Sequence, residues 1–294
     1  MRALITGGDG FTGRYVVTEL AQAGYEVFVT CASTPPAGAE RWLQADILDR
    51  SSLAAVVAQV RPEVVVHLAA ISYVGHGDPA ASYTTNVVGT RNLLTALVAQ
   101  NCRPRSVLLA SSANIYGNSQ AGTLDEDTAP NPANDYAVSK LAMEYMARLW
   151  RERLPITLVR PFNYTGRGQT VNFLLPKIVD HFQRRVARIE LGNLDVWRDF
   201  SDVRAVAQAY RRLLEVDAAG QVVNICSGRT FALRQVMSMA ESLTGHHMEI
   251  VGNPAYMRAD EVRILGGNPA RLRALIGAWD NPPLEETLAW MLSA

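Results

Sequence analysis

The chain opens with a strand, a glycine turn and a helix in immediate succession, and no other stretch limits its fold as tightly. Residues 2–13 read Arg-Ala-Leu-Ile-Thr-Gly-Gly-Asp-Gly-Phe-Thr-Gly. Residues 2–5 form a short apolar run of strand type, and 11–23 have the spacing of an amphipathic helix. Gly7, Gly10 and Gly13 punctuate the turn. Gly8, Gly10 and Gly13 satisfy a G-x-G-x-x-G pattern as well, so two registers fit. A helix N-terminus presents unpaired N–H groups and partial positive charge, which attract a phosphate. Glycine lets the backbone turn close to a pyrophosphate, and a glycine one turn into the helix lets it sit tightly on its strand. A turn without a ligand also fits the pattern alone; its place between strand and helix is what favours the phosphate.

The same alternation continues. Strands are expected at 25–30, 42–45, 63–69, 106–110 and 156–160. Helices are expected from Ser51 or Ser52 to before Pro62, at 79–101 and at 134–153. Residues 31–40 and 117–133 read as loops. The run Val-Val-Val-His-Leu-Ala within 63–69 is continuous, as in a parallel strand covered on both faces. Strands alternating with helices predict an α/β fold with a doubly wound parallel (Rossmann) sheet. After Pro161 the rhythm changes, with a Gly-rich loop at 166–168, short strands near Ile189 and Trp197, and helices at 202–215, 233–243 and 284–292. Residues 222–226 read as a strand returning to the main sheet. The expected division is a dinucleotide-binding domain at 1–162, with 196–226 returning to it, and a smaller, interleaved α/β substrate-binding lobe over most of 163–294.

With 294 residues and 48% hydrophobic residues the chain can bury a sizeable core. Lys plus Arg and Asp plus Glu number 28 each, so no basic excess points to nucleic acid or a membrane surface. Cys31, Cys102 and Cys226 are sparse and far apart, which suggests reduced thiols. No residue spacing suggests a metal site, and His246-His247 are adjacent rather than four apart. No signal peptide or apolar run of membrane-spanning length is evident, so a cytoplasmic protein is expected.

Tyr136 and Lys140 are four residues apart in an expected helix and so share one face. An ammonium beside a phenol favours the phenolate, and the pair can then pass a proton to or from a carbonyl or alcohol oxygen. Alone, such a pair is more often an ordinary surface pair. Ser111-Ser112, at the carboxyl end of the preceding strand, shift that balance, because a serine there can hydrogen-bond the same substrate oxygen. Tyr116 follows close by. His67, within an apolar strand, reads as a core or cofactor-adjacent histidine, and His76 as a residue that can line a substrate site; neither reads as a catalyst.

Taken together, these segments resemble the extended short-chain dehydrogenase/reductases that act on nucleotide sugars, the NAD-dependent epimerase/dehydratase family. The matching stretches cover nearly the whole chain: 6–13, Asp46-Ile47, 67–70, Asn86 with Gly89-Thr90, 111–117, 136–140, 160–163 and 198–200. Tracts 160–169, 196–202 and 222–228 are most similar to the bacterial reductases of GDP-4-keto-6-deoxy-mannose. The resemblance implies that Ser112, Tyr136 and Lys140 form the catalytic group. Tyr136 would donate the proton, Ser112 would hold the carbonyl oxygen, and Lys140 would bind the nicotinamide ribose and tune Tyr136. Gly7, Gly10, Phe11, Thr12, Gly13, Asp46, Ile47, Leu68, Ala69, Ala70, Asn86, Lys140 and Pro161 would hold the cofactor. Ser72, Asn114, Tyr116, Asn163, Asn172, Arg198 and Arg258 would hold the substrate. Arginine suits a diphosphate because its planar fork grips phosphate oxygens with two hydrogen bonds. A homodimer is also implied, through the helices at 79–101 and 134–153, although their apolar faces fit internal burial equally.

Two departures narrow the choice. Dehydratases of this family carry a carboxylate or an Asp-Glu pair just after the strand-end hydroxyl; here Ala113 and Asn114 stand there, and neither ionises. The second strand ends Val29-Thr30-Cys31-Ala32-Ser33, without the acid that binds an adenosine ribose diol. That favours NADP(H) over NAD(H), with Arg14 and Arg41 the basic residues nearest in sequence. The expectation is an NADPH-dependent 4-ketoreductase of a 4-keto-6-deoxy sugar nucleotide, GDP-linked, giving GDP-rhamnose or GDP-6-deoxytalose. The alternatives are a 4-epimerase with tightly held NAD and, more remotely, a non-catalytic dinucleotide sensor, which would be expected to have lost the tyrosine or lysine.

Overall fold

The computed structural model describes residues 1–35, 38–71, 78–119, 122–256 and 262–293. The first strand, β1 (Arg2–Thr6), leads through the glycine turn into α1 (Phe11–Gln22). There follow β2 (Glu26–Cys31), β3 (Trp42–Gln44), α2 (Arg50–Val60) and β4 (Val64–His67). A long helical run comes next, made of α3 (Pro79–Tyr83), a π-helical turn (Thr84–Gly89) and α4 (Thr90–Ala99). Then come β5 (Ser106–Ala110), a 3-10 turn (Ala113–Tyr116), α5 (Asp135–Arg148) and β6 (Ile156–Pro161). The remainder comprises β7 (Asn163–Thr165), α6 (Leu174–Gln183), β8 (Arg188–Leu191), β9 (Trp197–Asp202), α7 (Val203–Glu215) and β10 (Val222–Ile225). It ends with β11 (Thr230–Ala232), α8 (Leu233–Thr244), β12 (Glu249–Gly252), β13 (Ile264–Leu265), α9 (Ala270–Ile276) and α10 (Leu284–Leu292).

Seven parallel strands form the main sheet in the order β10-β6-β5-β4-β1-β2-β3. Side chains alternate between its faces. Ala3, Ile5, Val64 and Val66 pack against Val16 and Leu20 of α1 and against Val206, Tyr210 and Leu213 of α7. Leu4, Val65, Val107 and Leu109 pack against Leu53 and Val57 of α2, Leu93 and Leu97 of α4, and Met143 of α5. Helices on both faces explain why all of β4 is buried. The smaller lobe holds a four-stranded sheet, in which β9 is flanked by β11 and β13 and β7 also pairs with β9, and a two-stranded pair β12-β8. Helices α6, α8 and α10 cover it around Ile178, Phe182, Val236, Met237 and Leu288. No helix of the described residues is long and apolar enough to cross a membrane.

Several boundaries differ from the sequence reading. The helix expected at 134–153 stops at Arg148 and gives way to turns. The helix at 79–101 is interrupted by its π turn. Within 196–226, β9 belongs to the smaller sheet, while α7 and β10 complete the main layer. The late tract around Leu272, Ile276 and Trp279 also joins the main core. Helices α6 and α9 and strands β7, β11, β12 and β13 were not legible. In α6, Pro176 obscures an otherwise regular stripe of Leu175, Ile178, Val179 and Phe182. It lies in the first turn, where a missing N–H costs nothing.

Candidate active site

The glycine turn is built for close approach. Gly7 has φ +69°, and a Cβ there would lie 2.7 Å from the Ala69 backbone nitrogen on the neighbouring strand end. A Cβ on Gly13 would lie 2.3 Å from the Gly7 carbonyl oxygen, so only glycine lets α1 sit down on the turn. Gly10 is the N-cap of α1 and offers no side-chain cap, so the first-turn amides have no acceptor within the helix. That donor set fits a pyrophosphate.

A cleft of about 620 Å³ runs along the carboxyl ends of the main strands from this turn. Gly7, Gly10, Phe11, Thr12, Gly13, Asp46, Ile47, Leu68, Ala69, Ala70, Lys140 and Pro161 all line it, as do Ser112 and Tyr136. Asp46 accepts from the Leu48 amide at 2.8 Å, and Asn92 donates to the Ile47 carbonyl at 3.2 Å, which pins this edge of the cleft. The end of β2 contributes Thr30, Cys31 and Ala32. Arg41 pairs instead with Glu26 at 3.6 Å, and the Arg14 Nε donates to the Asp9 carbonyl at 3.1 Å. Asn86 is placed otherwise than expected. Its amide is buried behind the cleft, accepting from the Ile71 amide at 3.0 Å and donating to Ser139 Oγ at 2.9 Å. Thr85, beside it in the π turn, reaches the cleft instead.

A second cleft of about 560 Å³ continues into the smaller lobe and shares Asn114, Asn163, Tyr164, Gln169, Phe173 and Leu265 with the first. Asn172 and Arg198 line it. Arg198 donates to the Trp197 carbonyl at 2.9 Å. Asn163 Nδ2 is buried here without a hydrogen-bond partner, a donor that a polar ligand would satisfy. The expected substrate residues Ser72 and Arg258, and His76, lie outside the described residues.

Tyr116 does not reach either cleft. The 3-10 turn rotates it into the core, where its hydroxyl donates to Asn224 at 2.8 Å and accepts from Arg160 at 2.9 Å. Arg160 in turn grips Glu144 through two bonds of 2.9 and 2.7 Å, and Ser111 donates to Glu144 at 2.6 Å. Ser111 and Ser112 both line the first cleft, but the Ser111 hydroxyl is committed to Glu144. Residues the sequence did not single out include Tyr164, whose hydroxyl hydrogen-bonds Thr12 at 2.7 Å and whose ring stacks on Phe11. Tyr210 of α7 and Phe173 also line the first cleft.

Asn134 caps α5 by accepting from the Ala137 amide at 2.9 Å, which starts the helix so that Tyr136 and Lys140 both face the cleft. Burial pushes the Tyr136 phenol up to about 12, opposed by the neighbouring Ser112 hydroxyl. The lowering by Lys140 expected from the sequence is not found; burial, which strips solvation from the phenolate, governs the phenol. The same burial brings the Lys140 ammonium down to about 8, opposed by the Glu144 carboxylate. Its Nζ donates to the Ala110 carbonyl at 2.8 Å. His67 is a core residue, bonded to Thr6 at 2.6 Å and Thr90 at 2.8 Å and kept neutral by burial, which lowers it to about 3.

Comparison with known proteins gives a consistent picture. The model of the NAD dependent epimerase/dehydratase family matches residues 3–226. The GDP-6-deoxy-D-talose 4-dehydrogenase of Aggregatibacter actinomycetemcomitans is 35% identical over 94% of this chain and 92% of its own. The GDP-6-deoxy-D-mannose reductase of Pseudomonas aeruginosa is 34% identical over 99% and 96%. The solved structure of RMD from that organism, complexed with NADPH, is 32% identical over 99% and 98% with a TM-score of 0.86. A Burkholderia cenocepacia protein provisionally named an epimerase superposes with a TM-score of 0.94, at 50% identity over 99% and 97%.

Proposed function

The chain belongs to the NAD dependent epimerase/dehydratase family, and from that membership we propose that it reduces the C4 ketone of a 4-keto-6-deoxy sugar nucleotide with NADPH. The observation that carries the reading is the place of Ser112, Tyr136 and Lys140. They line the dinucleotide cleft where it meets a second cleft through Asn114 and Asn163, and Ala113 and Asn114 supply no acid for eliminating water. The bound nicotinamide would supply a hydride. Tyr136, protonated at neutral pH, gives its proton to the sugar oxygen; Ser112 donates a hydrogen bond to that oxygen. Lys140 holds the ribose and offsets the charge left on the phenol. Gly10, Phe11, Thr12 and Gly13 hold the pyrophosphate. Asn163, Asn172 and Arg198 hold the nucleotide diphosphate and sugar. The GDP linkage is supported by the two relatives whose names carry it. NADPH is supported by the acid-free end of β2 and by the NADPH complex of RMD.

Incubation with NADPH and a panel of 4-keto-6-deoxy sugar nucleotides, with NMR of the products, is expected to show reduction at C4, best with the GDP sugar, and to reveal whether the rhamnose or talose configuration forms. The runner-up, a 4-epimerase, has support in the name of the Burkholderia neighbour. Purified protein is expected to release its nucleotide freely; a stoichiometric, non-exchanging NAD would favour the epimerase. A homodimer is supported by exposed Val138 and Tyr145 on α5, with Leu149 just beyond it.

The pH dependence follows from Lys140. The ratio kcat/KM for the reduced cofactor reports ionisations of the uncomplexed enzyme. The ammonium is present below about 8 and lost above it, so this ratio is expected to fall on the alkaline side with a midpoint near that value. In Lys140→Met the alkaline limb should vanish from an already low rate. A limb that survives the substitution would assign it to another group.

A further inference from the structure

The hydrogen bonds around Ser112 run in one direction. A serine oxygen has one hydrogen to give and two lone pairs with which to receive. Both lone pairs are engaged by Asn114, whose backbone N–H donates at 3.2 Å and whose Nδ2 donates at 3.1 Å. The local fold imposes this. Ser112 is the N-cap of the 3-10 turn Ala113–Tyr116, and Asn114, second in that turn, folds its amide back over the cap. The Ser112 hydrogen is left for the other side, which faces the cleft that Tyr136 also lines.

We infer that Asn114 is a positioning residue that holds Ser112 as an obligate donor, so that Ser112 and Tyr136 both present hydrogens to the oxygen that gains electrons. The inference rests on the ketoreductase reading and deepens it. It replaces the direct substrate contact expected of Asn114 from the resemblance with a role exerted through Ser112. The polarity suits reduction: the proton leaves Tyr136 for the sugar oxygen, and Ser112 keeps donating its hydrogen bond to that oxygen. A carboxylate at 114 would reverse it. An ionised carboxylate only accepts, so Ser112 would turn its hydrogen toward residue 114 and away from the cleft. An alanine would remove one donor and leave the backbone N–H in place.

Three proteins separate these effects: wild type, Asn114→Ala and Asn114→Asp, compared for cofactor affinity, kcat and KM across pH. Cofactor affinity should be unchanged. Losing one neutral hydrogen bond, Asn114→Ala is expected to lower kcat about tenfold. Asn114→Asp removes the Ser112 donor from the reacting oxygen and is expected to lower kcat about 10²-fold at neutral pH. Its rate should recover toward acid pH, as the new carboxyl regains a hydrogen to donate; wild type should show no such rise. Equal losses in the two variants at every pH, or a rise in KM with kcat unchanged, would overturn the inference and restore a direct substrate contact. A wild type that reduces no ketone in the panel would sink the functional reading alone. The role of Asn114 then rests on NMR of protein labelled with [15N]asparagine, where the Nδ2 pair missing from Asn114→Asp is assigned to Asn114. Ser112→Ala should shift that pair; an unmoved pair overturns the inference.

Discussion

Tyr136→Phe is expected to cut turnover by at least ~10²-fold while leaving cofactor affinity nearly intact, the usual scale for losing a positioned general acid. The substitution removes one oxygen from a side chain that is 9% exposed and already packed in the cleft wall, so ring and helix stay in place. On the proposed reading, what disappears is the hydrogen that Tyr136 would give to the sugar oxygen; Lys140 Nζ donates to the Ala110 carbonyl. Steady-state rates with the preferred ketone, beside a fluorescence titration with NADPH, make the comparison. Near wild-type turnover would remove Tyr136 from the chemistry.

Removing Arg160 is expected to cost about 3–5 kcal/mol of stability, because it leaves a carboxylate buried without its partner. Arg160 and Glu144 have 3% and 0% of their side chains exposed. Ser111 and Tyr116 both bond into the pair. In Arg160→Met, Glu144 keeps, among the described residues, only the Ser111 hydroxyl as a hydrogen-bond partner. A double variant, Arg160→Met with Glu144→Leu, removes both charges and should recover much of the loss, since apolar replacements of buried ion pairs are often near neutral. Denaturant unfolding of the three proteins decides it. A single variant no less stable than the double would show that the pair is not a charge-balanced unit.

The parts of the fold that were legible obey short-range rules. Alternating strands and helices gave the seven-stranded sheet, and Val222–Ile225 returned to it as its apolar run suggested. Ser112, Tyr136 and Lys140 could be found because strand ends and helix faces fix where their side chains point. Tyr116 misled for the opposite reason. Only four residues from Ser112 in sequence, it is turned away by a 3-10 segment whose direction is set by Arg160 and Asn224, partners 44 and 108 residues away. Asn86 misled likewise, because the π turn shifts which residue of the helix faces the cleft. Tyr164 was missed because its significance lies in Thr12 and Phe11, 152 residues away for the former. The effect of Lys140 on Tyr136 was expected from charge alone, whereas burial, which the spacing does not reveal, governs the phenol.

The return of α7, β10 and α9 to the main layer, after the chain has already built part of the smaller lobe, has an evolutionary consequence. A lobe attached through one linker can be exchanged as a cassette. Here no single cut frees the smaller lobe: excising it removes one of the helices that cover one face of the sheet and the strand that forms its edge. New substrates in such an architecture have to be acquired residue by residue along segments that also support the sheet. Each such change is then tested first for folding and only afterwards for the sugar it admits.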